Sequence, residues 1–415
     1  MKPVLLTHFT ATSCLGRGLD ATLDALREQR GGLAPCNFPR ADLDTWIGAV
    51  DDADAAPVRA DLADFECRNN RLAQIGLTQD GFAGHVEAAK ARHGAGRVGV
   101  FIGTSTSGIL ETEHAYQQRP YHDGQPGALP ASFRYATTHN IYSPAAFVRA
   151  YFGLSGPAMV ISSACSSGAK VFASARRMLA AGLIDAAVVG GVDSLCLTAL
   201  YGFNSLELLS PQPCRPYDAA RDGISIGEAA AFALLERAPE ANGVLHDDAI
   251  LLLGIGESSD AHHMSSPHPE GLGARAAMEQ ALATSGLTAT DIDYINLHGT
   301  GTPSNDASEA RAIHGLFGGT AYAPPCSSTK GATGHTLGAA GALEAVITAL
   351  ALRHQLLPAG INTTQPDPAL AVNYLTTSRN ARVRTALSNA FGFGGTNCSL
   401  VFGLAGHLRY LDLSS

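Results

Sequence analysis

One cysteine occupies a position where its thiol could act as a nucleophile. The apolar run Ala158–Ile161 predicts a buried strand, and the helix-forming segment 169–181, followed by Gly182, predicts a helix. Cys165 therefore lies at a strand-to-helix turn, beside backbone N–H groups that have no partners within the helix. Because the helix dipole favours negative charge there, we expect the Cys165 thiol to lose its proton readily and to act as a nucleophile. The alternative is a small buried apolar residue, which is what most free cysteines are.

Two histidines stand in glycine-rich segments beside predicted strands. His298 comes directly after the predicted strand 292–297, at the end of the strand where sites in parallel sheets form. His335 follows Lys330 and a loop of small residues, and it precedes a long apolar helix over 337–353. Burial and the helix dipole should lower the pKa of His335, and a neutral imidazole can donate an N–H to a developing oxyanion. The alternatives are a turn histidine at 298 and a core histidine at 335.

Three carboxylates accompany these groups. Asp306 and Glu309 share one face of the helix that follows His298, where they either support the site or simply favour the start of that helix. Glu344 lies in the long apolar helix, and a lone buried carboxylate is costly. We therefore expect Glu344 to have a partner such as Lys330 or a bound cation.

Two further segments look like cofactor or metal motifs but lack the necessary context. The glycine-rich run 391–397 is followed by a predicted strand and not by a helix, which excludes a dinucleotide-binding loop. Its glycines favour instead a close approach of backbone N–H groups to a ligand. The histidines at 262, 263 and 268 have no cysteine or strand-end carboxylate beside them, so a metal site there is disfavoured.

The composition excludes several classes of protein. The chain has 415 residues, of which 46% are hydrophobic and 16% charged, as in a globular protein large enough for two domains. A net charge of −9 argues against binding to nucleic acid. Eight scattered cysteines without a Cys-x-x-Cys pair indicate reduced thiols, and residues 1–30 lack the apolar core of a signal peptide. We expect a cytoplasmic protein without a membrane-spanning segment.

The two halves of the chain share a similar order of predicted elements. Strands are predicted at 3–6, 98–102, 158–161 and 185–192 in the first half, and at 250–256 and 292–297 in the second. Residues 327–330 are predicted to end a further strand and enter a loop, and residues 386–402 to form a strand, a glycine turn and a returning strand. Apolar strands separated by helices favour parallel pairing with helices on both faces. The repetition indicates a duplication, with residues 1–245 carrying the cysteine and residues 246–415 carrying the two histidines and the lysine. The break is predicted near Asn242 and Gly243, and the catalytic groups are expected where the halves meet.

Four sequence blocks, in this order, resemble those of the β-ketoacyl-acyl-carrier-protein synthases, which are condensing enzymes with a thiolase-like fold. The blocks are Ser163-Ala164-Cys165-Ser166-Ser167-Gly168, His298-Gly299-Thr300-Gly301-Thr302-Pro303, Lys330-Gly331-Ala332-Thr333-Gly334-His335 and Asn389-Ala390-Phe391-Gly392-Phe393-Gly394-Gly395-Thr396-Asn397. The resemblance runs from about Pro3 to Phe402. It implies a duplicated α/β fold of five layers, αβαβα.

The resemblance also implies a decarboxylative condensation. Cys165 takes an acyl chain from the phosphopantetheine of a carrier protein, and His298 and His335 polarise the carbonyl of the malonyl thioester as carbon dioxide leaves. The product is a β-ketoacyl chain two carbons longer. The N–H groups of Cys165 and Phe393 form the oxyanion hole, and Phe393 also gates the acyl pocket. No cofactor is implied, because the phosphopantetheine belongs to the carrier protein.

The remaining implied roles are supporting ones. Lys330 is catalytic through its hold on Glu344, and Asp306 and Glu309 support the site. The implied pantetheine contacts are Thr300, Thr302, Ser265 and Ser266. A structural monovalent cation is implied near Asn296, Glu344, Ser388 and Asn389, with no catalytic metal.

Several alternatives stay open beside this reading. The loop 103–108 carries more hydroxyl groups than the family's usual loop, so the acyl chain and the pathway, fatty acid or polyketide and polyene, are open. A chain-length-determining partner subunit would lack the nucleophile and is disfavoured by Cys165 with His298 and His335. A thiolase would need a second catalytic cysteine, whereas Cys398 lies beyond the glycine-rich loop. An acyl carrier protein is the implied partner. A homodimer is the default assembly, and a heterodimer with an inactive homologue is the other possibility.

Overall fold

The computed structural model describes residues 3–55, 57–238, 245–318 and 323–408, so Asn242 and Gly243 lie outside the described residues. Ten strands form the main sheet: β1 (Val4–Ser13), β2 (Val98–Gly103), β3 (Ala158–Ile161), β4 (Ala186–Asp193), β5 (Ala229–Arg237), β6 (Ile250–Ser259), β7 (Tyr294–Asn296), β8 (Cys326–Ser327), β9 (Thr385–Gly392) and β10 (Thr396–Leu404). A short strand, Gly16–Arg17, pairs with the end of β1.

The helices of the described residues are α1 (Gly18–Glu28), α2 (Arg68–Leu77), α3 (Phe82–His93), α4 (Ile109–Gln117), α5 (Ser143–Tyr151), α6 (Ser167–Ala180), α7 (Leu197–Ser205), α8 (Leu272–Ser285), α9 (Pro303–Phe317), α10 (Lys330–Thr333), α11 (Ala340–His354) and α12 (Ala405–Leu408). A 3-10 turn, Leu337–Ala339, leads directly into α11.

The two halves have the same strand order. The first half runs β3-β2-β4-β5-β1 and the second runs β8-β7-β9-β10-β6. In each half the first three strands of this path are parallel, and the last two pair antiparallel. The halves join where β1 pairs antiparallel with β6, from Val4 with Leu252 to Leu6 with Ile250. Five strands with one topology, repeated along one chain, are the pattern that a duplication leaves.

Three hydrophobic clusters separate five layers of secondary structure. Helices α2, α3 and α5 cover the outer face of the first half-sheet, and α8 and α9 cover that of the second. Between the half-sheets lie α6 and α11, which contact each other and strands of both halves. Residues 340–352 of α11 are all buried, as their nearly uniform apolar composition predicts. The predicted five layers are therefore present.

The strand before the cysteine differs from its prediction. The run Ala158–Ile161 was expected to be buried, but β3 is the outermost strand of the sheet, and Met159 is 41% exposed. A run of four apolar residues does not distinguish a central strand from an edge strand, because both have a face that packs on the core. The unpaired edge of β3 is consequently open for pairing with another chain.

One stretch of the described residues, Leu337–His354, is long and apolar enough to cross a membrane by length and composition. Its mean hydropathy is 1.2, and 89% of it is buried inside the protein. The stretch also carries Glu344, which forms an ion pair there, so it serves as the central core helix.

Candidate active site

The two halves of the chain bring a thiol and an imidazole into contact. Cys165 lies in the turn between β3 and α6, and the preceding Ala164 has a φ of 52°, a left-handed conformation that turns the chain sharply. The Sγ of Cys165 lies 3.0 Å from the Nε2 of His335. Gly392 allows the glycine-rich run 391–397 to approach this turn, because a Cβ at position 392 would lie 2.8 Å from the carbonyl oxygen of Ser163. The fold thus closes the second half onto the cysteine.

The protonation state of Cys165 differs from the sequence-based expectation. Burial raises the pKa of the thiol to about 11, against the opposing effects of the Lys330 charge and a hydrogen bond from the backbone N–H of Phe393. Desolvation disfavours the thiolate more than these groups stabilise it. The expectation of a readily ionised thiol was therefore wrong for the resting site. A neutral imidazole in contact with the sulfur can instead accept its proton as the thiol attacks.

Both histidines are held in their neutral form. Burial, followed by the charge of Lys330, lowers the pKa of His298 and that of His335 well below the usual range. Their rings meet edge to face, with centroids 5.5 Å apart. The Nζ of Lys330 donates to the Nδ1 of His298 over 3.4 Å, which leaves the ring hydrogen of a neutral imidazole on Nε2. His298 is thereby set to donate an N–H.

Lys330 and Glu344 form a buried ion pair, as the sequence suggested. Their side chains are 2% and 3% exposed, and the ammonium donates both to Glu344 Oε1 and to the backbone carbonyl of His298. Burial still raises the pKa of Glu344 to about 7 against the charge of Lys330. The pair ties the central helix α11 to the strand end that carries His298.

Two of the four residues that the resemblance implies for a monovalent cation site, Asn296 and Glu344, have the environment that such a site needs. Glu344 Oε2 and Asn296 Oδ1 are buried without a hydrogen-bond partner, which is the environment that a bound cation would satisfy. Ser388 lies beside Asn296 on the neighbouring strand, whereas Asn389 already uses both side-chain polar atoms in hydrogen bonds. A cation held by Asn296 and Glu344 would neutralise buried negative charge. Within the described ranges, no group of three His, Cys, Asp or Glu side chains could hold a metal ion.

Asp306 and Glu309 hold the backbone of the histidine loop. Glu309 accepts hydrogen bonds from the N–H groups of His298 and Gly299, at 2.9 and 2.8 Å. Asp306 accepts from Gly301 N–H at 3.2 Å, and also from the N–H of Tyr217. Burial raises the pKa of Asp306, and it raises that of Glu309 to about 7. Both acids lie on the buried face of α9, where they shape the loop without lining the cavity.

Cys165 and Phe393 border two cavities. The first is lined by Cys165, both histidines and all four predicted pantetheine contacts, Thr300, Thr302, Ser265 and Ser266. The second is mostly apolar, with Ile109, Ala199 and Leu337 in its wall. The first cavity, which carries hydroxyl groups in its wall and is called the hydroxyl-lined cavity below, and the mostly apolar second cavity both reach Cys165.

The sequence reasoning missed several residues that line this site, among them Phe203 and Asp260. Phe203 lines both cavities, and its ring lies 5.7 Å from that of Phe393, centroid to centroid. Asp260 lines the first cavity, accepts from Asn397 at 2.9 Å and donates its backbone N–H to Gly395. Phe203 is one of several apolar residues on α7, so its position carries no distinct signal. Asp260 ends a strand, a signal that could have found it.

Comparison with known proteins identifies the family. Residues 1–241 match the family model "Beta-ketoacyl synthase, N-terminal domain", and residues 250–364 match "Beta-ketoacyl synthase, C-terminal domain". The chain belongs to the beta-ketoacyl synthase family. This membership confirms the predicted class of enzyme, an acyltransferase of the condensing type, and the predicted thiolase-like fold.

Individual members of the beta-ketoacyl synthase family match most of the chain. The 3-oxoacyl-(acyl-carrier-protein) synthase 2 of Coxiella burnetii is 34% identical over 414 residues, 96% of this chain and 98% of that protein. The mitochondrial 3-oxoacyl-(acyl-carrier-protein) synthase of Arabidopsis thaliana is 44% identical over 263 residues, 60% of this chain and 57% of the plant protein. A chain from the complex of a ketosynthase with its chain length factor, from Xenorhabdus doucetiae, is 38% identical with a TM-score of 0.83 and covers 97% of this chain and 98% of its own length.

Proposed function

We propose that the protein is an elongating β-ketoacyl-acyl-carrier-protein synthase that extends a fatty acid or polyketide chain by two carbons. The observation that carries the proposal is the convergence of Cys165, His298 and His335 on one cavity, with Cys165 Sγ 3.0 Å from His335 Nε2. A thiol with two neutral imidazoles matches the needs of acyl transfer followed by decarboxylation. Family membership supports the same reaction.

In the first step, an acyl-carrier protein presents its pantetheine thioester to Cys165. The sulfur attacks the acyl carbonyl, a new carbon–sulfur bond forms, and the bond to the pantetheine sulfur breaks. His335, in contact with the thiol, receives the proton and passes it to the departing pantetheine thiolate. The N–H of Phe393, which points at the sulfur, and that of Cys165 stabilise the oxyanion of the intermediate. The acyl chain then occupies the apolar cavity.

In the second step, the malonyl-pantetheine arm of malonyl-carrier protein enters the hydroxyl-lined cavity. Once Cys165 is acylated, its sulfur no longer donates a proton to His335 Nε2, so the single ring hydrogen of the neutral His335 can move to Nε2. The N–H groups of His298 and His335 then donate to the malonyl thioester oxygen. The carboxylate leaves as carbon dioxide, and the electrons of the broken carbon–carbon bond form an enolate. Removal of one such donor typically costs about 10²–10³-fold in rate. The enolate carbon attacks the acyl carbonyl on Cys165, a carbon–carbon bond forms, and the carbon–sulfur bond to the cysteine breaks. Cys165 leaves as a thiolate and takes up a proton from solvent through His335. The product is the β-ketoacyl-carrier protein.

The proposed partners are an acyl carrier protein and a second chain of this fold. Thr300, Thr302, Ser265 and Ser266 line the hydroxyl-lined cavity, which supports their predicted contact with the pantetheine arm. The exposed edge of β3, with Met159 at its centre, supports pairing with another chain. A homodimer is the proposed assembly. The Xenorhabdus ketosynthase was solved with its chain length factor, which makes a heterodimer the competing outcome.

The proposed compartment is the cytoplasm, and no cofactor is proposed. All eight cysteines are free thiols, which supports a reducing compartment. The thioester and the malonyl carboxylate already activate the substrates, so the chemistry requires no bound redox or prosthetic group.

Reconstitution tests the proposed function. The purified full chain is incubated with acyl-carrier protein and malonyl-carrier protein, and the carrier-bound products are measured by mass spectrometry. We expect a β-ketoacyl product two carbons longer than the acyl donor, and none with the Cys165→Ser variant. Product formation by Cys165→Ser at the rate of the unmodified protein would overturn the assignment of the nucleophile.

A further inference from the structure

A fully buried carboxylate outside the catalytic group joins both sides of the site. Asp193 is the last residue of β4 and is 0% exposed. Its two oxygens accept hydrogen bonds from six donor groups: the hydroxyls of Thr104, Ser105 and Thr106, and the N–H groups of Ser105, Thr106 and Gly338. An ionised carboxylate only accepts hydrogen bonds, so it matches a shell made entirely of donors.

Five of the six donors come from the loop that follows β2. Strands β2 and β4 are parallel neighbours, with Gly103 opposite Gly191, so Asp193 and this loop meet at the same end of the sheet. Thr104 Oγ1 lies 2.5 Å from Asp193 Oδ1, and Thr106 donates through both N–H and hydroxyl at 2.9 Å. Ser105 and Thr106 line the apolar cavity beside Cys165. Three of the four hydroxyl groups in this loop are therefore turned towards Asp193, and they fix the wall of the acyl pocket.

The sixth donor comes from the other half of the chain. Gly338 N–H lies 2.5 Å from Asp193 Oδ2 and 3.1 Å from Ser105 Oγ. A Cβ on Gly338 would lie 2.7 Å from both Asp193 Oδ2 and the Ser105 nitrogen, so only glycine allows this approach. Leu337, just before it, has a φ of 53°, and its side chain lines the acyl pocket. A left-handed leucine is strained and persists only where its surroundings enforce it.

The same segment carries His335. Two backbone hydrogen bonds fix one side of this segment. The N–H of His335 donates to the carbonyl of Ser225 at 2.7 Å, and the N–H of Gly227 donates to the carbonyl of His335 at 3.0 Å. Three residues later, the bond from Gly338 to Asp193 fixes the other side. The orientation of the imidazole against Cys165 thus depends on two anchors, of which Asp193 is one.

We propose that Asp193 is a positioning residue that holds the acyl-pocket wall and the His335 segment in one register, so that acyl preference and decarboxylation depend on the same carboxylate. This inference rests on the proposed function. Asp193 does not line either cavity, so it acts through Ser105, Thr106 and Gly338. The donors to Asp193 fall into a loop side, to which Thr104 belongs, and a Gly338 side. The hydroxyl of Ser105 contacts both Asp193 and the N–H of Gly338, so it links the two sides.

Three variants of similar size to the native residues test this division. Asp193→Asn replaces one acceptor oxygen by an N–H2 group that faces donors. Ser105→Ala removes the hydroxyl that bridges Asp193 and Gly338, and Thr104→Val removes a hydroxyl that contacts only the loop side of the carboxylate. Each full-length variant is studied in the oligomeric form in which it purifies. Thermal unfolding identifies variants that fail to fold, and the two hydroxyl variants then carry the test.

The measurements are malonyl decarboxylation by the pre-acylated protein and acylation of Cys165 with short, medium and long acyl donors. For Asp193→Asn and Ser105→Ala we expect kcat of decarboxylation to fall by about tenfold to a hundredfold, since small misplacements of a catalytic group have such effects. KM for malonyl-carrier protein should stay within about twofold, because the pantetheine contacts do not touch Asp193. Thr104→Val should change the acyl preference and keep kcat of decarboxylation within about twofold of the unmodified protein.

Two results would overturn the inference while leaving the proposed function intact. One is an unmodified kcat and acyl preference in both Asp193→Asn and Ser105→Ala. The other is an equal loss in all three variants, with KM raised as much as kcat is lowered, which is the signature of a generally loosened fold. Failure of the unmodified protein to form any condensation product would instead contradict the proposed function itself.

Discussion

The Nε2 of His335 lies 3.0 Å from the Sγ of Cys165, although 170 positions of the chain separate the two residues. Cys165 follows β3 in the first half, and His335 precedes the central helix α11 in the second half. Burial keeps the imidazole neutral and the thiol protonated. The resting site is therefore an uncharged thiol–imidazole pair, and charge develops only when a substrate is bound.

The reactivity of Cys165 towards iodoacetamide should increase steadily with pH. Burial raises the pKa of the thiol to about 11, so the thiolate is a small fraction at neutral pH. The thiolate is the reactive form, and the alkylation rate should rise by about tenfold per pH unit until the pKa is approached. Peptide mass spectrometry measures the rate at Cys165, with Cys165→Ser as the control. A rate that levels off below neutral pH would show instead that the helix N-terminus stabilises the thiolate.

Replacing His335 should separate the two chemical steps. In His335→Ala the malonyl oxyanion loses one of its two donors, so decarboxylation should fall by about 10²–10³-fold. Acylation of Cys165 should be slowed but still detectable by intact mass. His314→Ala, which changes an exposed histidine on α9, is the matched control and should behave as the unmodified protein. Lost acylation with normal decarboxylation would reverse the role assigned to His335.

The contributions of Lys330 and Glu344 to the free energy of unfolding should depend on each other. Both side chains are almost fully buried, so Lys330→Met or Glu344→Gln leaves one polar partner uncompensated. Each single variant should lower the free energy of unfolding by about 3–5 kcal/mol. The double variant should lose less than the sum of the single losses, because no unpaired charge is left. Urea unfolding measures all four proteins, and additive losses would show that the two groups do not interact.

Removal of the Phe393 ring should shorten the lifetime of the acyl-enzyme. The Phe393 residue borders both the hydroxyl-lined cavity and the apolar one, so we expect Phe393→Ala to open the acyl-cysteine to water. We expect hydrolysis of the thioester to become faster in this variant, and the conservative Phe393→Leu to be intermediate. Intact mass against time, after removal of the acyl donor, measures the lifetime. An unchanged lifetime in Phe393→Ala would show that the ring does not exclude water.

The sequence predicted where Cys165 and His298 lie in the fold, because each follows a recognisable strand. His298 follows β7, Cys165 follows β3, and the neutral state of both histidines follows from burial. The buried Glu344 required a partner, and Lys330 was the cation near it in the blocks. Local pattern and the cost of burying charge were sufficient for these predictions.

Properties that depend on long-range packing could not be read in the same way. The thiol of Cys165 is in the predicted turn, yet its pKa depends on how completely the second half covers it. The exposed edge of β3 depends on strand order, which a short apolar run does not encode. Asp193 gathers donors from segments near 105 and 338, and nothing in its own neighbourhood of sequence indicates them.

Mass analysis of the protein during a single turnover tests the central claim most directly. The full chain is incubated with an acyl-carrier protein, freed of the donor and then mixed with malonyl-carrier protein. We predict that the acyl mass appears on the peptide that contains Cys165, disappears on addition of malonyl-carrier protein, and reappears on the carrier as a β-ketoacyl chain two carbons longer. An acyl group on another residue, or one that malonyl-carrier protein does not remove, would contradict the account.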